Sequence, residues 1–249
     1  MSDHVIQVAD GFWNIRGSFK IAGFVDIGTQ ASLVRRPSGR FLMLDSYPLR
    51  GAVETEILEL TDGGQAVEAV LNLHPFHTIH VHTTHARFPH AKLYGTDRHV
   101  ARRPELPWQP ERTDGPEIRA LFEELVFSVP AGVDFIPSDE NLHFASVLAF
   151  HPSTRTLHVD DTLMYTRLPF MGGVRFHPTL GSVLQKRPGA VAEFRQWAAE
   201  LVDRCSLVDH LCTAHTRALL DSEDSIAAQV QKALDAVRST LDAHEKKHG

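Results

Sequence analysis

Between Leu71 and His85 the chain reads L-N-L-H-P-F-H-T-I-H-V-H-T-T-H, five imidazoles in fifteen residues, directly behind the apolar run Val67 to Leu73. No other stretch constrains the fold as strongly. The run A-V-E-A-V-L-N-L is short, continuous and β-prone, the pattern of a strand inside a sheet. A strand that ends in His74 delivers its polar residues where α/β proteins build their sites. Each imidazole has two nitrogens that need partners, so burying several together without a metal, an acid or water costs free energy at every ring. Neutral imidazole is also the commonest metal ligand. His74, His77 and His80 are spaced by three; they would crowd one face of a helical turn or converge on one ion from a loop. The plainer alternative is a solvated, histidine-rich helix start.

Strand and helix signals alternate along the chain without a linker or a low-complexity tract, which predicts an α/β layered fold. Ala31 to Arg36 and Phe41 to Ser46 are β-rich runs around Pro37, Ser38 and Gly39, a hairpin composition that ends at Asp45. Val53, Ile57 and Leu60 recur at four and three, so a helix follows Leu49 and stops at Asp62, Gly63 and Gly64. After a helical stretch, Ala91 to Gly95 is a short strand. In the second half Glu117 to Leu125 reads as helix, and Phe127 to Phe135 as strands about a Pro130 to Gly132 turn. Phe144 to Phe150 and Thr156 to Val159 form a hairpin whose second strand runs into Asp160 and Asp161, and His143 stands just before its first. Val191, Phe194, Trp197, Leu201 and Val202 make an apolar helix face, and Leu207 to Cys212 is a strand that empties into His215. Ile226, Val230, Leu234, Val237 and Leu241 form the stripe of a last packing helix, with Asp221 or Ser222 as its N-cap.

Composition narrows the function classes. With 25 Lys+Arg against 31 Asp+Glu and no basic run, the chain offers no nucleic-acid surface. No stretch approaches the roughly 18 apolar residues of a membrane span. Met1 to Gly11 carries an early acid and no apolar segment, so the expected compartment is the cytoplasm. Cys205 and Cys212 form no C-x-x-C pair and read as buried reduced thiols.

The predicted strand ends deliver His74, His143, Asp161 and His215 in that order, and this order resembles the metallo-β-lactamase-fold hydrolases. L-M-L-D ends at Asp45, and L-N-L-H-P-F-H-T-I-H opens at His74. N-L-H-F-A-S-V-L-A-F is similar to the family's G-H-T-x-G-S strand at His143. V-D-D-T-L-M resembles G-D-T-L and picks Asp161 over Asp160, and L-C-T-A-H-T places His215 last. The resemblance runs from about Gly11 to Leu220. It implies an α+β, four-layer αββα sandwich, a single domain over 1–249 with two pseudo-equivalent halves, about 1–115 and 116–249.

The same resemblance marks a departure. The family's motif is His-x-His-x-Asp-His, and an ungapped alignment from His74 sets Phe76, Thr78 and Ile79 where the family has His, Asp and His. No acid lies in Leu73 to Arg87. The expectation is therefore one divalent transition metal, zinc first with iron or manganese as alternatives. It would be held by two or three of His74, His77 and His80 together with His143, Asp161 and His215. Such an ion lowers the pKa of its water towards about 7 and polarises the oxygen under attack. Asp161 would bind the metal or hold the water. Asp160 or His177 would take the proton, against the plainer readings of Asp160 as a hydrogen-bonded strand-end acid and His177 as a loop residue. His82, His85, His90 and His99 read as helix or loop surface, and Asp45 as an acid that orients backbone or a ligand histidine. Phe170, Met171, Gly172, Gly173 and Phe176 would form an apolar wall or flap.

Three functions remain open on this reading. The first is a metal-dependent hydrolase of a small-molecule ester, thioester, lactone or phosphoester. The others are a metal-dependent oxidoreductase or lyase on the same fold, and a metal-free, non-catalytic scaffold. None calls for a nucleic-acid or membrane partner.

Overall fold

In the structure, a computed structural model, the apolar run before the histidines forms the strand Val67–Leu71, with Val67 and Ala69 to Leu71 buried as its composition requires. Residues 3–21, 25–167, 172–215, 217–220, 222 and 224–249 are described. The chain divides into two units, Met1–Val126 and Phe127–Gly249.

In the first unit the strands are β1 (His4–Ala9), β2 (Phe12–Gly17), β3 (Lys20–Ile21), β4 (Val25–Asp26), β5 (Thr29–Arg35) and β6 (Phe41–Leu44). Helix α1 (Gly51–Leu60), β7 (Val67–Leu71), α2 (Val81–Arg87), β8 (Lys92–Gly95), α3 (Asp97–Arg102), β9 (Trp108–Arg112) and α4 (Ile118–Leu121) follow. Seven strands form one sheet in the order β1-β2-β5-β6-β7-β8-β9. It is antiparallel from β1 to β6 and parallel from β6 to β9. The change of direction follows from the connections, because the Pro37–Gly39 turn makes a hairpin whereas α1 and α2 are the crossovers that parallel neighbours need. Helix α1 buries Val53 and Ile57 against Trp13, Ile15, Leu33 and Met43 in one apolar cluster. Each such aliphatic side chain contributes about 1.5–3 kcal/mol on full burial. The helix ends where the sequence placed its stop. Gly64, at φ +92°, also lies against the Phe88 ring, which a Cβ would approach to 3.0 Å.

The second unit holds α5 (Leu180–Val183), α6 (Ala190–Cys205), α7 (Ile226–Ala236) and α8 (Arg238–His248) with the strands β10 (Val126–Ser128), which starts at the boundary, β11 (Leu148–His151), β12 (Thr156–Val159), β13 (Leu163–Thr166), β14 (Gly173–Phe176) and β15 (His210–Thr213). One sheet runs β10-β11-β12-β15, with β11 antiparallel and β15 parallel to β12, and β13 pairs with β14 as a separate hairpin. Phe194 and Trp197 of α6 join Phe144 and Phe176 in an aromatic cluster with ring centroids 5.5 to 6.4 Å apart, the offset and edge-on range that aromatic pairs favour. Cys205 and Cys212 are buried free thiols, and burial pushes that of Cys205 up to about 12.

Several elements differ from the sequence reading. Strand β10 stops at Ser128, and of the residues beyond it Val133 makes an isolated bridge to Leu184 instead of a strand. Gly132 there sits against the start of α6, where a Cβ would meet the Ala190 carbonyl. Strand β11 begins at Leu148, so His143 stands on a loop rather than at a strand edge. The last amphipathic stripe is two helices, parted at Val237, and the N-cap is Ser225, whose hydroxyl accepts the Ala228 N–H at 3.1 Å. Asp221 lies outside the described residues, as do Phe170 and Met171 of the expected flap. Among the described residues no helix is long and apolar enough to cross a membrane.

Candidate metal centre

In the first unit the histidine loop is set by side chains that grip the backbone around the end of β7. Asp45, at φ +63° beyond β6, donates its own N–H to the Leu71 carbonyl and accepts the Leu73 N–H on Oδ1, both at 2.8 Å. Ser46 Oγ donates to Asn72 Oδ1 at 2.7 Å, and Asn72 Nδ2 donates to the Tyr94 carbonyl at 3.0 Å. His74 emerges from this grip with 0% exposure. Its Nδ1 accepts the Phe76 N–H at 3.1 Å, so the neutral ring carries its proton on Nε2. The His77 ring stacks on it at 4.1 Å and 20°. Near-parallel stacked rings keep their lone pairs in two separate planes, so an ion lying in the plane of both needs one ring to tilt.

Phe76 lies edge-on to His74 at 6.0 Å, and the Arg98 guanidinium sits over its face at 4.3 Å. His80 is set apart at the N-cap of α2, where burial first and the nearby Arg50 charge second push its pKa down. His82 and His90 are exposed and His85 is half-buried. His99 overturns its surface reading, since it has 0% exposure. Its Nδ1 accepts the Thr96 N–H at 3.2 Å, closing a capping box at the start of α3. Burial pushes its pKa to about 4, a shift that the Asp45 charge opposes and that of His74 reinforces, so the ring is neutral at pH 7.

In the second unit Asp161 is the centre, with 1% exposure. Its Oδ1 lies 2.9 Å from His215 Nε2, and its Oδ2 lies 3.9 Å from His143 Nδ1. His143 Nε2 is 2.6 Å from the Glu140 carbonyl. A carbonyl only accepts, so Nε2 holds the proton and the neutral ring presents its lone pair on Nδ1. Metal-binding histidines are commonly oriented in this way. Thr162 locks the arrangement: its Oγ1 donates to the Phe144 carbonyl and accepts the Ser146 N–H, each at 3.0 Å. His177 Nδ1 is hydrogen-bonded to Thr179 Oγ1 at 2.8 Å, and that hydroxyl reaches the His143 carbonyl at 3.1 Å. Asp160, also at 1% exposure, is grouped with His158, and their ligand atoms lie within 4.8 Å of each other.

The donor set fits a divalent metal in kind. In the first unit His74, His77 and Asp45, and in the second His158, Asp160 and Asp161, are nitrogen and carboxylate donors suited to such an ion. His143 is in the tautomer a ligand needs, and His74 is not while Phe76 holds its Nδ1. His158, His99 and Arg98 were not singled out as site residues from sequence. The first two had signals: His158 stands two before Asp160 on an alternating strand, and His99 stands three after the N-cap Thr96.

No protein-family model and no curated protein matches the sequence. Solved structures do. A metallo-β-lactamase from Erythrobacter litoralis superposes with a TM-score of 0.62 at 13% identity, covering 98% of this chain and 96% of the other. One from Hirschia baltica gives 0.61 at 11% identity, with 98% of each chain covered. The mono-zinc form of FIM-1 from Pseudomonas aeruginosa gives 0.60 at 8% identity over 100% of this chain and 95% of that one. The chain has the metallo-β-lactamase fold. Within that fold it is divergent, as the low identities show.

Proposed function

We propose that this chain is a metal-dependent hydrolase of a small molecule bearing an ester, thioester, lactone or phosphoester bond, working in the cytoplasm with one divalent ion. Zinc is the first choice, and iron or manganese the alternatives. Within the second unit, His143, Asp161 and His215 would hold it. The observation that carries the reading is the buried Asp161 carboxylate with His215 on one oxygen and His143 beside the other. The metallo-β-lactamase fold supports it. When bound, the ion would supply hydroxide near neutral pH and polarise the oxygen of the bond under attack. The chain's own part is proton handling and orientation. His215, with Nε2 2.9 Å from Asp161 Oδ1, would orient that carboxylate toward the ion. His177, held by Thr179, would take the proton of the attacking water.

A second reading, a metal-free scaffold, is favoured by the Phe76 contact that holds His74 in the donor tautomer and by the His74–His77 stack. Elemental analysis of tag-free protein after exposure to zinc, iron and manganese separates the two. The hydrolase reading expects about one ion per chain, released on acidification through roughly pH 6 to 5 as imidazoles protonate. Asp161→Asn should lower metal affinity about 10- to 100-fold. Protein that takes up none of the three metals would establish the scaffold instead.

A further inference from the structure

We infer that Ser153 is a nucleophilic hydroxyl that accepts an acyl group from an activated ester, with His151 as its base, at a second site remote from Asp161. The inference does not rest on the metal-dependent reading. A single turn of 3₁₀ helix, Pro152–Thr154, joins β11 to β12. Ser153 is exposed on it, whereas His151, the last residue of β11, is 3% exposed. Ser153 Oγ lies 3.0 Å from His151 Nε2, and His151 Nδ1 lies 2.8 Å from Thr154 Oγ1.

The proton positions in this chain of hydroxyls follow from its far end. Thr156 Oγ1 donates to the Thr154 carbonyl at 3.1 Å, which uses its one proton, so it accepts from Thr154 Oγ1, also at 3.1 Å. That uses the Thr154 proton in turn. Thr154 Oγ1 therefore accepts from His151, whose Nδ1 carries the ring proton and whose Nε2 in the neutral ring keeps its lone pair. Ser153 is then the donor at Nε2. The order is nucleophile, base and orienting group, with a hydroxyl relay where a carboxylate often stands. The turn itself is pinned. Arg155 sits at φ +52°, its N–H bonds the Pro152 carbonyl at 3.1 Å, and its guanidinium meets both oxygens of Asp209 at 2.5 and 3.0 Å. Ser153 precedes β12 and Asp161 follows it, and at about 3.3 Å per residue the strand alone puts roughly 10 Å between them.

The step is a transfer. The bond from Ser153 Oγ to the acyl carbon forms and the ester C–O bond breaks. The Oγ proton passes to His151 Nε2 and from there to the departing alkoxide or phenoxide oxygen, so no metal, oxidant or further reactant enters. General-base help of this kind contributes about 10²- to 10⁴-fold.

The test uses p-nitrophenyl acetate on full-length, chelator-treated protein, so that no bound ion takes part. Nitrophenolate release is followed by absorbance, and the acetylated residue is located by tandem mass spectrometry after an acid quench. Acetyl should appear on Ser153, up to one per chain at that residue. Ser38, exposed in the Pro37–Gly39 turn with its hydroxyl accepting the Arg40 N–H, should stay unmodified on the same timescale. His151→Gln should slow acylation of Ser153 about 100-fold or more. Thr154→Val should slow it about tenfold, and Thr154→Ser, which keeps the hydroxyl, should restore the wild-type rate. Melting curves certify each variant's fold. No acetyl on Ser153, or equal rates at Ser153 and Ser38, would overturn the inference, as would an unchanged rate in a folded His151→Gln. Should His151→Gln fail to fold, the Thr154 pair decides, and equal rates in its valine and serine variants overturn the inference too.

Discussion

Thr162→Val removes one hydroxyl from the second unit and keeps the branched shape. That hydroxyl donates to the Phe144 carbonyl and accepts the Ser146 N–H, each at 3.0 Å, with Ser146 Oγ at 2.9 Å. Phe144, Ser146 and Thr162 are each at 0% exposure, so water cannot replace what valine lacks. A buried N–H and a buried carbonyl lose their partner, at about 1–3 kcal/mol each. The new methyl returns about 0.8 kcal/mol, and the net loss is therefore about 1–5 kcal/mol. For a chain of this length that lowers Tm by roughly 2–4 °C per kcal/mol, so a fall of the order of 10 °C is expected near the middle of the range. Thr162→Ser keeps the hydroxyl and should lose about 1 kcal/mol or less. The assay is thermal unfolding of chelator-treated protein followed by circular dichroism, so that no bound ion contributes to Tm. A valine variant that melts with the wild type, or a serine variant that melts as low as valine, would refute the clamp. Because Thr162 adjoins Asp161 and holds the segment just after His143, the valine variant should also bind added zinc more weakly.

His99 gives a pH prediction whose sign follows from the direction of its shift. Burial lowers the folded-state pKa to about 4 from 6.5, so between those values the unfolded chain holds a proton that the folded chain does not. Stability from this ring is complete above about pH 6.5 and is lost as pH falls towards 4, and the loss between pH 7 and pH 5 is about 2 kcal/mol. His99→Gln can keep the capping box and should flatten that part of the profile in urea unfolding; an unaltered slope would separate His99 from the acid response. Ser225→Ala removes the observed N-cap of α7 and should cost about 1 kcal/mol, whereas Ser222→Ala should leave the melting curve in place. Equal effects of the two would return the cap to the position read from sequence.

Local chemistry was enough for much of the framework. The Pro37–Gly39 hairpin, the Asp62–Gly64 helix stop, the run into His74 and the apolar face from Val191 to Leu201 all appear as read. Turn propensity and hydrophobic period act within a few residues, so a linear pattern contains them. The misreadings share a different cause. Val133 is apolar because it meets Leu184, not because it lies in a strand, and the stripe from Ile226 to Leu241 continues unbroken in sequence although the backbone parts at Val237.

The sequence by itself determined where the chain releases its candidate donors: a histidine-dense loop after a buried strand, then Asp161 after β12 and His215 after β15. Those are matters of residue type and period. Tertiary structure decided the state of each ring. Phe76 N–H on His74 Nδ1, the Glu140 carbonyl on His143 Nε2 and the burial of His99 set which nitrogen holds a proton and which ring stays neutral. An imidazole has two nearly equivalent nitrogens and a pKa near 6.5. Its tautomer and charge are therefore set by partners within about 3 Å, and only the folded chain brings those partners into place.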